Sequence, residues 1–255
     1  MGVNPRCPRR IRGVLVAAVA HAALAPTLAA TPPGKVLDLS SWKLTLPYDT
    51  KHQSGNPDEV TQPELATFSD PENFRTSDSG DYVLFRAACD GKGTENSKYP
   101  RSELREMSPT GRTEAEWATD DGGAHAIEVE IAVTQTPRTK EHVVCLQIHD
   151  HEDDLLMVRL EDDLLFIERD GEPDVILDSE YRLGKRFKIR MIAKAGRVKT
   201  WHNGVLAMDW PVKARRCYFK VGCYTQSNRS REKRPGSYGE VAVYRLGLSH
   251  SGSTE

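Results

Sequence analysis

The chain has almost no net charge: 35 lysines and arginines stand against 37 aspartates and glutamates, which gives a formal charge of −2. A nucleic-acid-binding domain normally carries a clear basic excess, because its side chains must neutralise backbone phosphates. The balance here argues against such a partner, and we expect none. It still permits a local positive groove, in which a few basic side chains hold a different anion.

A sustained helical period, internal repeats and low-complexity tracts are also missing from the sequence. Apolar and polar residues instead alternate over many short segments, as in strands that bury one face. Glycine-containing turns such as Ala195-Gly196 and Asn203-Gly204 separate these segments. The sequence therefore predicts one all-β domain over residues 31–255, a β-sandwich or jelly roll. The expected strands cover residues 82–86, 126–133, 142–149, 155–160, 164–168, 187–193, 198–202 and 218–226, with a short helix at 63–68.

The N-terminus carries the pattern of a targeting segment. Arginines stand at positions 6, 9, 10 and 12, and residues 14–28 are mostly apolar. Small residues offer a cleavage site after Ala29 or Ala30, so residues 1–30 are interpreted as a secretory signal peptide. A membrane anchor is the alternative, disfavoured by the short apolar run, and Arg9-Arg10 leaves a twin-arginine export signal open. We therefore expect a secreted, extracellular protein with no membrane association after signal removal.

Cysteine is scarce, with five residues in the chain. Cys7 falls in the predicted signal, which leaves an even number for an oxidising compartment: Cys89, Cys145, Cys217 and Cys223. Cys217 and Cys223 cannot pair if the chain between them is an extended strand. Their separation would be roughly 20 Å at about 3.3 Å per residue, whereas a disulfide needs Cα atoms within about 7 Å. Connectivity is otherwise open, and a free, buried Cys223 is equally compatible with the pattern.

Three segments place polar residues at alternate positions: Arg101-Ser-Glu-Leu-Arg105, Gln147-Ile-His149 and Tyr218-Phe-Lys-Val-Gly-Cys-Tyr-Thr-Gln226. Because successive strand side chains point to opposite faces, each segment buries one row and presents the other. Such a set suits a cleft that grips a carboxylate and transfers a proton. The presented rows hold Arg101, Glu103, Arg105, Gln147, His149, Tyr218, Lys220, Tyr224 and Gln226.

These segments resemble the R-S/T-E-L-R, Q-I/V-H and Y-x-K-x-G-x-Y-x-Q motifs of alginate lyases in polysaccharide lyase family 7. Residues 39–47 are similar to the opening strand of that family and residues 239–244 to its closing strand, so the resemblance runs in order over nearly the whole mature chain. It implies a β-jelly roll of two curved antiparallel sheets whose concave sheet forms a substrate groove. It also implies an anionic polysaccharide substrate, alginate, and no cofactor; we expect a monomer.

Alginate is a 1,4-linked polymer of mannuronate and guluronate, and a lyase removes the C5 proton and expels the 4-oxygen. The neighbouring carboxylate must be neutralised, since an ionised one would leave two charges on the intermediate. Arg101, Gln147 and His149 are the predicted clamp. The resemblance assigns proton transfer to Tyr224, as base and acid on mannuronate, with nearby Arg101 and Lys220 favouring the phenolate. On guluronate, His149 is the expected base and Tyr224 the acid.

The same resemblance extends the substrate-binding set to Glu103, Arg105, Tyr218, Lys220 and Gln226, with Glu103 expected to hold the two arginines by ion pairs. No metal is expected. The acidic run 150–154 lacks the spacing of a calcium loop, and we interpret it as a solvated loop. Residues 48–62 and 228–238 are polar loops that are either simply solvated or lids over the groove.

Three rival functions stay open. A glycoside hydrolase needs paired carboxylates, and only Glu128-Val-Glu130 suggests them; Val133 occupies the position of the third acid in the laminarinase-like pattern. A non-catalytic carbohydrate-binding module would stack sugars on aromatic residues such as Trp201, but it needs no proton-transfer set. A lyase for another polyuronate, such as glucuronan, would use the same chemistry. Ile148 resembles the variant of guluronate-accepting members.

Overall fold

The computed structural model describes residues 1–2, 31–52 and 55–252. The predicted signal peptide therefore lies, apart from its first two residues, outside the described residues. Within the described ranges, no helix has the length and apolarity needed to cross a membrane.

The described chain is built almost entirely from strands, with two short 3-10 helices at Pro33–Lys35 and Glu64–Ala66. Numbered in chain order, the strands are β1 Trp42–Thr45, β2 Glu59–Val60, β3 Phe74–Thr76, β4 Val83–Ala88, β5 Arg101–Glu106, β6 Ala124–Gln135, β7 His142–His149, β8 Asp154–Glu161, β9 Leu164–Arg169, β10 Glu172–Asp178, β11 Phe187–Lys194, β12 Arg197–His202, β13 Val205–Pro211, β14 Tyr218–Thr225 and β15 Tyr238–Ser251.

These strands form two antiparallel sheets. The first has the order β10-β9-β8-β7-β14-β5-β1-β2, and the second has the order β13-β12-β11-β6-β15-β4-β3. Strands that are distant in sequence are neighbours in space, as where β14 lies between β5 and β7. The predicted all-β sandwich of two antiparallel sheets is therefore confirmed.

The core lies between the sheets and fixes which residues face outwards. Leu104 on β5, Ile148 on β7 and Phe219 on β14 are fully buried, in one cluster with Ile131 and Val243 of the other sheet. A slip of one residue along any of these strands would turn polar side chains into this core. Apolar burial on one face thus determines which row of residues forms the surface on the other.

The predicted strands match the observed ones closely, and β7 spans the predicted residues 142–149. The structure adds β2, β3, β10 and β13, which the sequence pattern did not reveal, and it extends the closing strand to Ser251. The expected helix at 63–68 is a 3-10 turn at Glu64–Ala66.

The described cysteines are all free, buried thiols: Cys89, Cys145, Cys217 and Cys223. No disulfide therefore forms among them, although the sequence had left their pairing open. Burial raises the pKa of the Cys145 thiol to about 12. A thiol with such a pKa is protonated and unreactive at neutral pH. These residues therefore act as small apolar side chains in the core.

Candidate active site

The three polar segments become neighbouring strands of the first sheet, in the order β7-β14-β5. Most residues of their outward rows lie on the floor of a groove of about 740 Å³. The alternation predicted from the sequence therefore brings residues from three distant segments to one surface. The cross-strand pairs are Tyr218 with His149, Lys220 with Gln147 and with Arg105, and Tyr224 with Arg101.

Glu103 lies below the floor of this groove, with only 1% of its side chain exposed. Three side chains converge on it. Lys220 Nζ lies 3.2 Å from Oε2, and Arg101 Nη1 lies 3.4 Å from the same oxygen. Gln147 Nε2 donates a hydrogen bond to the other oxygen, Oε1. One carboxylate therefore orients three of the predicted catalytic or binding side chains.

The protonation states of this cluster follow from burial and charge. Burial alone would raise the pKa of the Glu103 carboxyl, but the charges of Lys220 and Arg101 outweigh it and hold that pKa below its usual value. Burial lowers the pKa of Lys220 to about 8, against the opposing effect of Glu103. At neutral pH the cluster therefore contains one ionised carboxylate and two cations.

Gly222 allows β14 to approach β5 closely beside Glu103. Its φ of +145° is one that residues with a Cβ rarely adopt. A Cβ at this position would lie 2.5 Å from the Ser102 carbonyl oxygen and 2.8 Å from Glu103 Cα. The glycine sits between Lys220 and Tyr224, where the pairing of β14 with β7 also shifts register. The glycine of the third motif is thus required by the contact between two strands that carry the site.

His149 ends β7 and stacks on Tyr218, with ring centroids 5.1 Å apart and ring planes inclined by 13°. The Arg105 guanidinium lies 3.8 Å from the centroid of the same tyrosine ring. His149 Nδ1 donates a hydrogen bond to the Asp150 carbonyl at 3.0 Å, which leaves Nε2 as the acceptor nitrogen. Burial, and then the charge of Lys220, lower the pKa of His149. A neutral imidazole with an unprotonated Nε2 meets the requirement for a general base.

Tyr224 is held from two directions. The Arg101 guanidinium lies 3.8 Å from its ring centroid, and its hydroxyl lies 2.7 Å from Ser97 Oγ. The ring of Tyr99 is tilted against it, with centroids 6.4 Å apart. The phenol therefore has a fixed orientation in the groove.

The pairing of Arg105 differs from the prediction that Glu103 holds both arginines. Arg105 Nη2 pairs with Glu114 at 3.1 Å. Among the described residues, the ion pairs of Glu103 are with Arg101 and Lys220 instead. The expectation is therefore wrong for Arg105, because Glu114 supplies its partner carboxylate.

Glu103 and Gln226, both predicted to bind substrate, are absent from the lining of the groove. Glu103 is covered by the side chains it orients. Gln226 follows the end of β14, is buried, and donates its backbone N–H to the His142 carbonyl at 3.1 Å. The predicted residues that do line the groove are Arg101, Arg105, Gln147, His149, Tyr218, Lys220 and Tyr224.

The groove also contains residues that the motifs did not indicate. The segment between β4 and β5 contributes Ser97 and Tyr99, and the two polar loops considered as lids contribute Glu59 and Asn228. Residues 94–99 follow no strand alternation, so the sequence offered no signal beyond their polar composition. Their place in the groove depends on the tertiary path of the chain.

One end of the groove is acidic, where Glu152, Asp153 and Asp154 line it. Ligand atoms of His149, Asp153 and Asp154 lie within 4.8 Å of one another, so this group could hold a cation. Burial and the adjacent Asp153 raise the pKa of Asp154 to about 6. The crowded carboxylates therefore repel one another, and the groove changes from basic to acidic along its length.

Comparison with known proteins identifies relatives that share most of this chain. The family model described as "Alginate lyase" matches residues 37–250. The solved structure of AlgAT5, an alginate lyase of polysaccharide lyase family 7, is 43% identical, with a TM-score of 0.82 over 87% of this chain and 100% of that one. The alginate lyase from Corynebacterium sp. is 37% identical, with a TM-score of 0.82 over 87% of this chain and 99% of that one.

A curated alginate lyase of Klebsiella pneumoniae is 36% identical over 103 residues, which are 40% of this chain and 33% of that protein. This chain thus matches only a minor part of that relative, whereas it matches the two solved structures over nearly their full length. The agreement in fold with these structures confirms the β-jelly roll. The chain belongs to the alginate lyase family, polysaccharide lyase family 7, and is a polysaccharide lyase.

Proposed function

We propose that this protein is secreted and cleaves 1,4-linked alginate by β-elimination, leaving a C4–C5 unsaturated uronate at the new non-reducing end. The observation that carries the proposal is the convergence of Arg101, His149, Lys220 and Tyr224 on one groove. The cations can hold a carboxylate, and the imidazole and phenol can move a proton. The signal-like residues 1–30 support secretion, and the two solved relatives, both alginate lyases, support the substrate.

The charge of the groove floor suits a uronate. Arg101 and Lys220 share the single carboxylate of Glu103, which leaves one positive charge in excess. A substrate carboxylate that binds beside them completes the charge balance. Neutralising that carboxylate lowers the barrier to removing the adjacent C5 proton, because negative charge develops on it in the transition state.

For mannuronate, Tyr224 performs both proton transfers. Its phenolate takes the C5 proton, the C5 electron pair forms the C4–C5 double bond, and the bond from C4 to the 4-oxygen breaks. The departing oxygen then takes the proton from Tyr224, which restores the phenolate. A single residue can serve both steps because the proton and the leaving group lie on the same side of the sugar ring.

For guluronate, the proton and the leaving group lie on opposite sides, so two residues are needed. His149 takes the C5 proton through Nε2, and Tyr224 gives a proton to the 4-oxygen. The hydrogen bond from Nδ1 to the Asp150 carbonyl supports this assignment, since it fixes the tautomer. The lowered pKa of His149 keeps the base unprotonated at neutral pH.

The test is ultraviolet absorbance of the mature protein mixed separately with polymannuronate, polyguluronate and glucuronan. Tyr224→Phe and His149→Ala are measured beside the wild type. Tyr82→Phe is a matched control, because Tyr82 packs against Tyr244, with ring centroids 4.7 Å apart, in a cluster on the other sheet. We expect rising absorbance on alginate polymers, abolished by Tyr224→Phe and unaffected by Tyr82→Phe.

The outcomes separate the possible functions. Loss of only the polyguluronate reaction in His149→Ala would support the division of roles between the two residues. Activity on glucuronan alone would assign the protein to another polyuronate. Flat traces on all three polymers from a folded protein would contradict the proposal.

A further inference from the structure

A turn between β4 and β5 brings Ser97 to the hydroxyl of Tyr224, although 127 positions separate the two residues. Ser97 Oγ and Tyr224 Oη lie 2.7 Å apart, the usual length of a hydroxyl–hydroxyl hydrogen bond. Within the part of the chain that the structure describes, Tyr224 Oη makes no other hydrogen bond. Ser97 is therefore the group that acts directly on the phenol oxygen.

A second contact of Ser97 leaves its hydroxyl proton free to be donated in this hydrogen bond. Its Oγ accepts a hydrogen bond from the backbone N–H of Tyr99 at 3.2 Å. A serine hydroxyl has one proton and two lone pairs, so with one lone pair occupied its proton can point at Tyr224 Oη. In the resulting chain the Tyr99 N–H donates to Ser97 and Ser97 donates to Tyr224, so each hydrogen bond polarises the other in the same direction.

The turn that carries Ser97 is anchored to the rest of the protein. The backbone N–H of Lys92 donates to the Pro47 carbonyl at 2.7 Å. The backbone N–H of Glu95 donates to Asn56 Oδ1 at 3.0 Å. The position of the serine hydroxyl is thus set by contacts of the turn with Pro47 and Asn56, before any substrate binds.

The charged side chain that contacts Tyr224 does so at the ring and not at the hydroxyl. Arg101 lies over the ring face, and on β7 the residue paired with Tyr224 is the uncharged Val144. Neither Arg101 nor Val144 forms a hydrogen bond with the phenol oxygen. Among the described residues, its hydrogen-bond partner is Ser97. The neighbouring charges are, element by element, Arg101 on β5, Lys220 on β14 with its partner Glu103 on β5, and Lys98 in the turn.

We propose that Ser97 is a positioning residue for the lyase reaction: its hydroxyl donates to Tyr224 Oη and stabilises the phenolate that takes the C5 proton. The inference rests on the proposed function for its chemistry. Ser97 keeps its own proton throughout, because it only donates a hydrogen bond while the Tyr224 phenolate takes a proton from C5 of mannuronate and passes it to the 4-oxygen. It requires no contact with the substrate.

The kinetic test uses three variants in the same turn. Ser97→Ala removes the hydroxyl, Ser97→Thr retains one, and Glu95→Ala changes an exposed neighbour outside the groove lining. On polymannuronate, where Tyr224 is the proposed base, we expect Ser97→Ala to lower kcat about tenfold with little change in KM, since a hydrogen bond to a charged group is lost. The ascending limb of its pH profile should move to higher pH. Ser97→Thr should restore both properties, and Glu95→Ala should match the wild type.

A second test does not depend on activity. Titration of phenolate absorbance in the wild type and in Tyr224→Phe isolates the ionisation of Tyr224 by difference. In Ser97→Ala that step should occur at higher pH than in wild-type protein, and in Ser97→Thr at nearly the wild-type pH. The same step at the same pH in Ser97→Ala and wild type would overturn the inference.

The two tests also distinguish the failure of this inference from the failure of the proposed function. A wild type that cleaves no polyuronate, but whose Tyr224 ionisation still depends on Ser97, would contradict the lyase mechanism and support the Ser97–Tyr224 interaction. An active wild type in which Ser97→Ala changes only KM would overturn the inference, because Ser97 would then act through substrate binding.

Discussion

Glu103 is a single carboxylate shared by Arg101, Lys220 and Gln147, and the substrate groove does not reach it. A buried carboxylate of this kind is costly to desolvate, and it persists because its partners satisfy it. Its removal would leave two cations close together without a counter-charge. The orientation of the catalytic side chains and the stability of the fold therefore depend on the same residue.

We expect Glu103→Gln to lower the free energy of unfolding by about 3 kcal/mol, since it breaks a buried ion cluster while keeping the shape of the side chain. Urea denaturation measures the change. Glu114→Gln is the matched control, because Glu114 pairs with Lys43 and Arg105 but has a side chain 51% exposed. An exposed pair should contribute less than about 1 kcal/mol. Equal losses in the two variants would contradict the role assigned to Glu103.

His149 should make stability depend on pH. Burial and the charge of Lys220 hold its folded-state pKa below the ordinary value of 6.5, so the unfolded chain takes up this proton at higher pH than the native protein. Native stability is therefore lost as pH falls below 6.5. The half-buried His142 and His202, whose pKa values burial also lowers, add to the same slope. Measured by calorimetry from about pH 8 to about pH 5, the fall in Tm should be smaller in His149→Gln, and unchanged in a variant of the exposed His151.

At the scale of elements, the site depends on how closely β14 packs against β5. Gly222 has a positive φ and no room for a Cβ beside Ser102 and Glu103. Any side chain there would separate the strand that carries Lys220 and Tyr224 from the strand that carries Arg101. Strand spacing, rather than a chemical role, therefore accounts for this glycine within the motif.

Gly222→Ala should consequently reduce the free energy of unfolding by about 3 kcal/mol, from the collision and the backbone strain together. Gly247→Ala in β15 is the matched control, since a Cβ there would meet only the Glu128 carbonyl oxygen at 3.8 Å. That change should stay within about 1 kcal/mol of the wild type. Chemical denaturation of both variants gives the comparison, and a tolerated Gly222→Ala would show that the two strands can separate without loss.

The elements that the sequence predicted have either a clear alternation or a mostly apolar run. β11 alternates between more buried and more exposed residues, and β7, buried from Val143 to Ile148, has the predicted bounds. β10 is an edge strand in which no residue is fully buried, so it lacks the hydrophobic alternation on which the prediction rests. Edge strands form because a neighbouring strand offers backbone hydrogen bonds, and that information is not local to their sequence.

The same reasoning explains which site residues could be predicted. Arg101, His149 and Tyr224 stand on strands whose faces are fixed by burial, so their side chains could be assigned to one surface. Ser97 reaches Tyr224 through a turn whose path is set by contacts with Pro47 and Asn56. No local pattern encodes such a path. The prediction that Glu103 pairs with Arg105 was likewise wrong, because the observed partner, Glu114, lies in a segment without strand alternation.

At the scale of the whole molecule, the net charge of −2 provides no general attraction for a polyanion. Binding must come from the local field of the groove. That field is uneven, because Arg101 and Lys220 lie near the catalytic tyrosine while Glu152, Asp153 and Asp154 line the other end. A uronate chain that extends over the acidic end is repelled there, so the acidic residues should limit how tightly a long substrate binds.

Glu152→Gln tests this expectation, because its side chain is 80% exposed and it lines the groove without joining the buried cluster. At low ionic strength we expect KM for the polymer to fall about twofold, the size of an exposed charge interaction. At about 1 M salt the difference should vanish, since the screening length is then about 3 Å. Glu64→Gln, an exposed change outside the groove lining, alters net charge equally and should leave KM unchanged. An equal fall in both variants would assign the effect to overall charge, and no fall in either would mean that bound polymer does not extend over the acidic end.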